Sequence, residues 1–182
     1  MSSHRNILDA VQEAILDVGL RRTTLADVAR RAGLSRMTVY RLHEDLDTLV
    51  AALLTRELLA VVEDARKQVV HLATARERLV ETGVLVVERM DHHPLYRRIL
   101  DLDPELLLPL VVDRFGSTQA AVRDLIADHL EEGQRDGSVR VLDTQLAATV
   151  LLLTAQSFVF SARMVPEVAY DELRRMFDAY LA

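Results

Sequence analysis

The 182-residue chain has no cysteine, only 4% aromatic residues, six glycines and four prolines, while half of its residues are hydrophobic. The absence of cysteine excludes disulfides, thiolate zinc sites and cysteine nucleophiles. The scarcity of aromatic residues and turn formers argues against a strand-rich fold. The net charge of −6 is unevenly distributed, because residues 1–43 carry seven arginines against four acids (+3) and the remainder carries −9. A basic end on an acidic body is typical of a protein that contacts phosphates at one end only.

Apolar residues recur at helical spacing along the whole chain, and no segment alternates with the period of a half-buried strand. We therefore expect an all-α fold. Residues suited to cap helices, among them Thr24, Ser35, Asp45, Asp103 and Asp143, mark the predicted helix starts. The predicted helices span residues 4–18, 24–31, 35–42, 45–70, 74–92, 94–101, 103–114, 118–135, 143–164 and 170–181.

Residues 23–43, TTLADVARRAGLSRMTVYRLH, contain two short predicted helices separated at Gly33, as in a helix-turn-helix. Ala29 is small where the two helices cross, and Val39 is placed to pack back from the second helix. Gly33 can adopt the left-handed conformation of the turn. Ser35 is suited to cap the second helix. The segment is therefore predicted to bind DNA, and a helical hairpin in a protein without DNA binding is the alternative.

The residues left exposed on the second helix predict how the motif contacts DNA. We expect Arg36 to pair with a guanine, and Met37 and the Thr38 methyl group to contact a thymine methyl group in the major groove. Tyr40 and the Thr24 hydroxyl suit phosphate oxygens, which position a protein without reading sequence. The predicted DNA-binding residues are Thr24, Ser35, Arg36, Met37, Thr38, Tyr40, Arg41 and His43.

Four short matches connect the chain to a known family: TLADVA at residues 24–29, AGLS at 32–35, TVY at 38–40, and Leu49. With these residues the chain resembles the TetR/AcrR family of transcriptional regulators, and in helix order it does so over nearly its full length. The resemblance implies an N-terminal three-helix DNA-binding domain, a helical effector domain, a homodimer and a ligand.

The chain departs from the family pattern at two positions. Leu46 stands where relatives have a lysine that contacts a phosphate, and His43 stands where a phenylalanine is common. We expect the loss of the lysine to weaken DNA affinity and its salt dependence. His43 is expected to pack where the head meets the body, and a phosphate contact is the alternative.

The charge balance changes at the start of the fourth predicted helix, while the helical periodicity continues. We therefore predict a helix-turn-helix DNA-binding domain at residues 1–46 and a ligand-binding and dimerisation domain at residues 47–182. The second domain is expected to be a bundle of six to seven helices.

The predicted helix at 143–164 is hydrophobic nearly all round, so it must be buried on more than one side. Alanines at every seventh position form a stripe that would let another helix approach closely. We expect this stripe to pack on a partner chain, in a two-fold dimer that spaces two recognition helices for a palindromic operator. A single-chain core is the alternative. The predicted interface residues are Val122, Leu125, Ile126, His129, Ala148, Leu152, Ala155, Val159 and Ala162.

A second stripe of the same helix, Thr149, Leu153, Gln156 and Phe160, is expected to face inward and to line an effector pocket. Few polar groups are available there, so we expect a small, largely apolar effector. An ordinary core would use the same residues. Pro94 is expected to couple the pocket to the body, so that the effector weakens operator binding. The predicted pocket residues are Val86, Met90, Tyr96, Phe115, Gln156 and Phe160.

Other functions have weaker support in the sequence. Asp91, His92, His93, Asp101 and Asp103 are metal-ligating residue types. However, adjacent histidines on a helix point about 100° apart, so we expect no metal site. No set of nucleophile and base and no phosphate-binding loop is visible, so we expect neither catalysis nor a cofactor.

The uncharged stretch at 145–162 approaches the length of a membrane span, but it contains threonines, glutamine and serine. We therefore expect a cytoplasmic regulator without membrane contact. The alternative to a regulator is a helical adaptor that has lost DNA binding.

Overall fold

The computed structural model describes residues 2–43, 45–105, 116–161 and 170–182. All regular secondary structure within these ranges is helical, which confirms the predicted all-α fold. The helices are α1 (Ser2–Val18), α2 (Leu25–Arg31), α3 (Arg36–Leu42), α4 (Leu46–Val69), α5 (Ala75–Asp91), α6 (Pro94–Leu102), α7 (Ser117–Asp136), α8 (Thr144–Ser161) and α9 (Tyr170–Leu181). Most of the helix predicted at 103–114 lies outside the described residues, as do Phe115 and Ala162.

Side-chain caps explain why four of these helices begin where they do. Thr24, Ser35, Asp45 and Asp143 each accept a hydrogen bond from the backbone N–H three residues later, at 3.2, 3.1, 2.7 and 3.0 Å. The first turn of a helix leaves such N–H groups without a partner inside the helix, and a side-chain oxygen satisfies one of them. The helix starts predicted at these residues are thus confirmed.

The chain divides into two compact units, Met1–Leu59 with His92–Arg114, and Ala60–Asp91 with Phe115–Ala182. Helix α4 contributes residues to both units. The first unit contains α6 in addition to the three N-terminal helices, so its residues are not the continuous segment 1–46 of the prediction. That domain boundary stays a prediction.

In the first unit, α1 packs against α2 and α6, and α2 packs against α3. Arg56 of α4 anchors this unit further, because its guanidinium donates to Asp9 Oδ1 at 2.6 Å and to Gln12 Oε1 at 2.9 Å in α1. The largest fully buried side chains of the unit are Ile7, Val11, Ile15, Val28, Leu49, Leu53, Leu95 and Ile99.

In the second unit, α5 packs against α7, α8 and α9, and α7 packs against α8. The Arg174 guanidinium of α9 donates to Glu81 Oε1 of α5 at 2.6 Å, and the Tyr170 hydroxyl donates to Asp91 Oδ2 at 3.0 Å. Helix α8 is the one helix of the described chain that is long and apolar enough, by length and composition only, to cross a membrane. In the structure this helix packs on α5 and α7.

The orientation of α8 differs from the predicted one. Ala148, Leu152 and Val159 of the alanine stripe are buried within the second unit itself, so these side chains do not form an exposed surface for a partner chain. Ala155 is half-buried. The small alanine side chains let α8 approach the helices of its own chain. On the opposite side, Leu146 and Leu153 are 62% and 52% exposed and Val150 is also exposed, although Leu153 was expected to face inward.

Candidate nucleic-acid interface

The turn between α2 and α3 has the geometry that the helix-turn-helix pattern predicts. Gly33 adopts φ +67°, a left-handed backbone conformation that is unfavourable for residues with a side chain. A Cβ atom at this position would meet no other atom within 4 Å, so the backbone conformation alone favours glycine. The Leu34 N–H donates to the Ala29 carbonyl at 2.9 Å, which closes the turn. Ala29 and Val39 are buried as predicted, and they hold α3 against α2.

Ser35 organises the start of α3. Its Oγ accepts from the Thr38 N–H at 3.1 Å and lies 2.8 Å from Thr38 Oγ1. Thr38 is half-buried. Because its hydroxyl group contacts Ser35, its methyl group is the part that remains to contact a base. The two hydroxyls together fix the first turn of α3, where a recognition helix meets base edges.

Four predicted DNA-contacting side chains of α3 project into solvent. Met37 is 78% exposed and Tyr40 is 53% exposed, and Arg36 and Arg41 are exposed as well. Large apolar side chains are seldom left so open without a partner surface when they are grouped. The structure therefore brings an apolar and aromatic contact surface together with two guanidinium groups on one short helix.

The arginines of α2 and α3 differ in their ion pairs. Arg31 donates to Asp27 Oδ2 at 2.8 Å and to Asp17 Oδ2 at 2.6 Å, and Arg30 also pairs with Asp27. Hydrogen bonds from Arg31, and to a smaller extent from Arg30, hold the pKa of Asp27 below its ordinary value. Hydrogen bonds to Asp17 and Asp27 raise the pKa of Arg31. Within the described ranges, Arg36 and Arg41 form no ion pair. The uncompensated positive charge of the motif is therefore on α3.

The other predicted DNA contacts lie at the edges of this surface. Thr24 is exposed, and its hydroxyl oxygen caps α2, so the hydroxyl hydrogen can still be donated to a phosphate. His43 is the C-cap residue of α3 and is half-buried. Leu46 begins α4 and is also half-buried, so an apolar side chain stands at the position of the family's lysine.

The predicted effector-pocket residues are distributed over both units. Val86 is half-buried and Met90 is buried on α5, while Gln156 and Phe160 are half-buried on α8, and these two helices pack together in the second unit. Tyr96 belongs to the first unit. Its hydroxyl donates to the Leu54 carbonyl at 3.2 Å, and burial raises the pKa of the Tyr96 phenol.

The sequence interpretation did not anticipate a cleft of about 400 Å³ in the second unit. His129, predicted at the dimer interface, lines this cleft, and its Nδ1 lies 2.8 Å from the Leu125 carbonyl. Of the other predicted interface residues of α7, Val122 is buried, and Leu125 and Ile126 are half-buried. Among the described residues, the cleft is lined by Glu63, Arg66, Lys67, Val69, Val70, Arg78, Thr82, His129 and Glu132. These residues come from α4 and the residue that follows it, from α5 and from α7, so no local sequence pattern could have assembled them.

The described residues contain no group of three or more His, Asp or Glu side chains placed to hold a metal ion. The residues weighed as metal ligands have other partners. His93 Nε2 lies 3.4 Å from Glu57 Oε2, Asp91 accepts from Tyr170, and Asp103 accepts from Arg21.

Comparison with known proteins agrees with this geometry. Residues 7–53 match the family model described as bacterial regulatory proteins of the tetR family. An uncharacterised HTH-type transcriptional regulator of Mycobacterium bovis is 36% identical over 162 residues, which are 89% of this chain and 82% of the relative. The chain belongs to the TetR family, whose members are transcriptional regulators with a DNA-binding helix-turn-helix.

Solved structures share the fold over the full length of the chain. The TetR-family repressor QsdR of R. erythropolis has a TM-score of 0.76 at 16% identity, with 99% of this chain and 94% of that one covered. The regulator FadR of Bacillus subtilis, solved in complex with stearoyl-CoA, has a TM-score of 0.69 at 17% identity, with 98% and 99% covered. At these identities the likeness concerns the fold alone.

Proposed function

We propose that the chain is a cytoplasmic, ligand-responsive repressor that binds a palindromic operator as a homodimer and is released by a small, largely apolar effector. The observation that carries the DNA-binding part is the exposed face of α3. Met37 and Tyr40 stand open to solvent beside Arg36 and Arg41, which have no ion pair in the described part of the chain. Such a surface on a capped helix of seven residues suits the major groove.

On this surface, Arg36 and Met37 in the first turn read bases, with the Thr38 methyl group beside them. Thr24, Tyr40 and Arg41 contact phosphates and set the register of the helix on the duplex. Because Leu46 offers no charge at the start of α4, the head by itself binds weakly. Useful specificity then depends on two heads binding one site together.

Footprinting on genomic DNA of the source organism tests the DNA-binding part. We expect the wild-type protein to protect a site with two-fold symmetry, and its Arg36→Ala variant to lose most of the protection at the same concentration. Failure of the wild-type protein to protect any site would favour the helical adaptor over the regulator.

The dimer is the second part of the proposal. Leu146, Val150 and Leu153 form an exposed apolar stripe on α8, and Leu125 and Ile126 of α7 are only half-buried. Complete burial of a fully exposed leucine contributes about 1.5–3 kcal/mol, and the leucines of this stripe have about half of that surface left to bury. A two-fold interface would bury the stripe of both copies, which supports this choice of interface. The stripe thus takes the place of the alanines that the sequence favoured.

The effector is the third part. Val86 and Met90 on α5 and Gln156 and Phe160 on α8 supply mainly apolar groups and one amide. FadR of Bacillus subtilis, which shares the fold, was crystallised with stearoyl-CoA, so a long-chain acyl thioester is the first probe, and its acyl chain stands for the proposed apolar effector. We expect stearoyl-CoA to raise the dissociation constant for operator DNA, and coenzyme A without the acyl chain to leave it unchanged. A bound acyl thioester that saturates the protein without changing that constant would contradict this part.

A further inference from the structure

Besides the Tyr96 phenol, two polar side chains are buried in the described part of the chain, Thr23 at 4% exposure and Asp103 at 5%. Both lie at the same place in the first unit, around the turn that joins α1 to α2. Burial of a carboxylate is costly unless hydrogen bonds or an opposite charge compensate it. The groups that compensate the buried Asp103 carboxylate therefore indicate what this residue does in the first unit.

The Asp103 carboxylate holds the backbone of this turn. Its Oδ2 accepts from the Arg21 N–H at 3.1 Å, and its Oδ1 lies 3.5 Å from the Arg21 Nε. The sequence assigned Asp103 to the start of the following helix, and residues 104 and 105, directly after it, are helical. Asp103 is also the C-cap residue of α6, and its own N–H donates to the Ile99 carbonyl at 2.8 Å.

The rest of the turn is fitted closely to the end of α6. Gly19 adopts φ +88°, and a Cβ atom there would lie 3.2 Å from Leu102 Cδ1 and 3.3 Å from Asp103 Oδ2. Arg98 of α6 donates to the Asp17 carbonyl in the last turn of α1 at 3.1 Å. Thr23 completes the turn by donating its hydroxyl hydrogen to the Gly19 carbonyl at 2.9 Å.

Residue 24, directly after this turn, is the N-cap of α2, the first helix of the helix-turn-helix. The turn therefore sets the direction in which α2 leaves α1, and α3 follows α2 through the short turn at Gly33. We propose that Asp103 is a positioning residue for DNA recognition, which acts through the Arg21 backbone and not by contacting DNA. This inference rests on the proposed operator binding.

The test compares two duplexes, a sequence selected by the wild-type protein from a random pool and an unselected random sequence. Base contacts require a helix in the correct place, whereas non-specific binding depends on charge and tolerates small displacements. We expect Asp103→Ala to weaken binding to the selected duplex about tenfold or more, with less than about a twofold change for the random duplex. Circular dichroism and thermal unfolding are measured on the same samples, so that affinities refer to folded protein.

Glu105→Gln is the matched control, because Glu105 also pairs with Arg21 but from an exposed position. It should leave both affinities within about twofold of the wild type. Asp103→Asn keeps an oxygen that can accept from the Arg21 N–H, so it should weaken specific binding less than Asp103→Ala does. If the alanine variant does not fold, the affinities of Asp103→Asn for the two duplexes are compared with those of the wild type instead.

The outcomes separate the two ideas. If the wild-type protein selects no duplex, the operator-binding function itself fails. If it does select one, and folded Asp103→Ala and Asp103→Asn retain the wild-type ratio of specific to non-specific affinity, the positioning role is overturned. A loss of both affinities in equal proportion would overturn it as well, because that result describes a role in stability only.

Discussion

At the scale of single residues, DNA recognition depends on a few side chains of α3 that have no internal structural partner. Arg36 is the clearest case, because it is exposed and forms no ion pair within the described chain. A bidentate arginine–guanine contact contributes about 1–3 kcal/mol of discrimination. Arg36→Ala should therefore weaken binding to a selected operator by about 5- to 150-fold, measured by fluorescence anisotropy.

The matched control is Arg175→Ala, which removes an exposed arginine of α9 that pairs with Glu172. Its operator affinity should remain at the wild-type value. Equal losses for both variants would mean that the charge of the whole protein, and not the position of Arg36, determines binding.

Ser35 makes a second prediction at this scale, for stability. Its Oγ caps the Thr38 N–H, and losing an N-cap side chain costs about 1 kcal/mol. Ser35→Ala should lower the free energy of unfolding in urea by about that amount. Ser157→Ala is the control within a helix, where Oγ donates only to the Thr154 carbonyl of the same helix. Because alanine is a better helix former, this control should be neutral or slightly stabilising.

Asp27 gives the protein a defined response to acid. Its pKa is lowered in the folded state by Arg31 and Arg30, so it stabilises the fold above the unfolded-state value of about 3.9. This contribution is lost as the pH falls through the lower, folded-state value. Unfolding in urea at a series of pH values should show a smaller loss of stability below about pH 4 for Asp27→Asn than for the wild type. Asp128→Asn, which removes an exposed carboxylate of α7, should follow the wild-type curve, and coincidence of all three curves would refute this role of Asp27.

Local residue patterns correctly predicted the helix caps and the turn of the helix-turn-helix. The caps at Thr24, Ser35, Asp45 and Asp143 and the left-handed turn at Gly33 depend on neighbours in sequence, so the sequence alone was enough to find them. The Asp103 contact joins residues 82 positions apart, so the local pattern that suits Asp103 to a helix start could not reveal it.

At the scale of helices, the sequence could not predict which face of a helix packs against helices that are distant in sequence. Helix α8 is apolar on all sides, so its periodicity does not distinguish the face that packs within the chain from the face left open. The alanine stripe was assigned to a partner, yet Ala148, Leu152 and Val159 are buried in the second unit. Small side chains favour close helix approach in general, and here the approaching helices belong to the same chain.

The contact between α7 and the loop after it gives a prediction at this scale. A Cβ atom on Gly133 would overlap Val139 Cγ2 and lie 3.0 Å from Val139 Cβ. Gly133→Ala should therefore destabilise the protein by about 1–3 kcal/mol in urea unfolding, despite the better helix propensity of alanine.

Val139→Ala should relieve this overlap, so the double variant should be less destabilised than the sum of the two single ones. Gly33→Ala is the control, because the Gly33 site has no atom within 4 Å for a Cβ to meet. Its cost, which comes from the left-handed backbone, should add to that of Val139→Ala. Simple additivity for the Gly133 pair would contradict the steric account.

At the scale of the whole molecule, the proposal requires two copies to present two recognition helices. Leu153→Glu places a charge in the exposed stripe of α8, and it should shift the protein from dimer to monomer in analytical ultracentrifugation. Met176→Glu, which alters an exposed apolar residue of α9, should leave the dimer intact. A dimer that survives Leu153→Glu would place the interface elsewhere.

Selection of bound duplexes from a random pool tests operator recognition and dimerisation together. The full-length protein should enrich sequences with two-fold symmetry, in which two half-sites have a constant spacing of about one helical turn or a multiple of it. Leu153→Glu should enrich at most single half-sites, because a monomer presents one recognition helix. Enrichment of no sequence by the wild-type protein, or of a single site without symmetry, would contradict the proposal that this chain binds a palindromic operator as a homodimer.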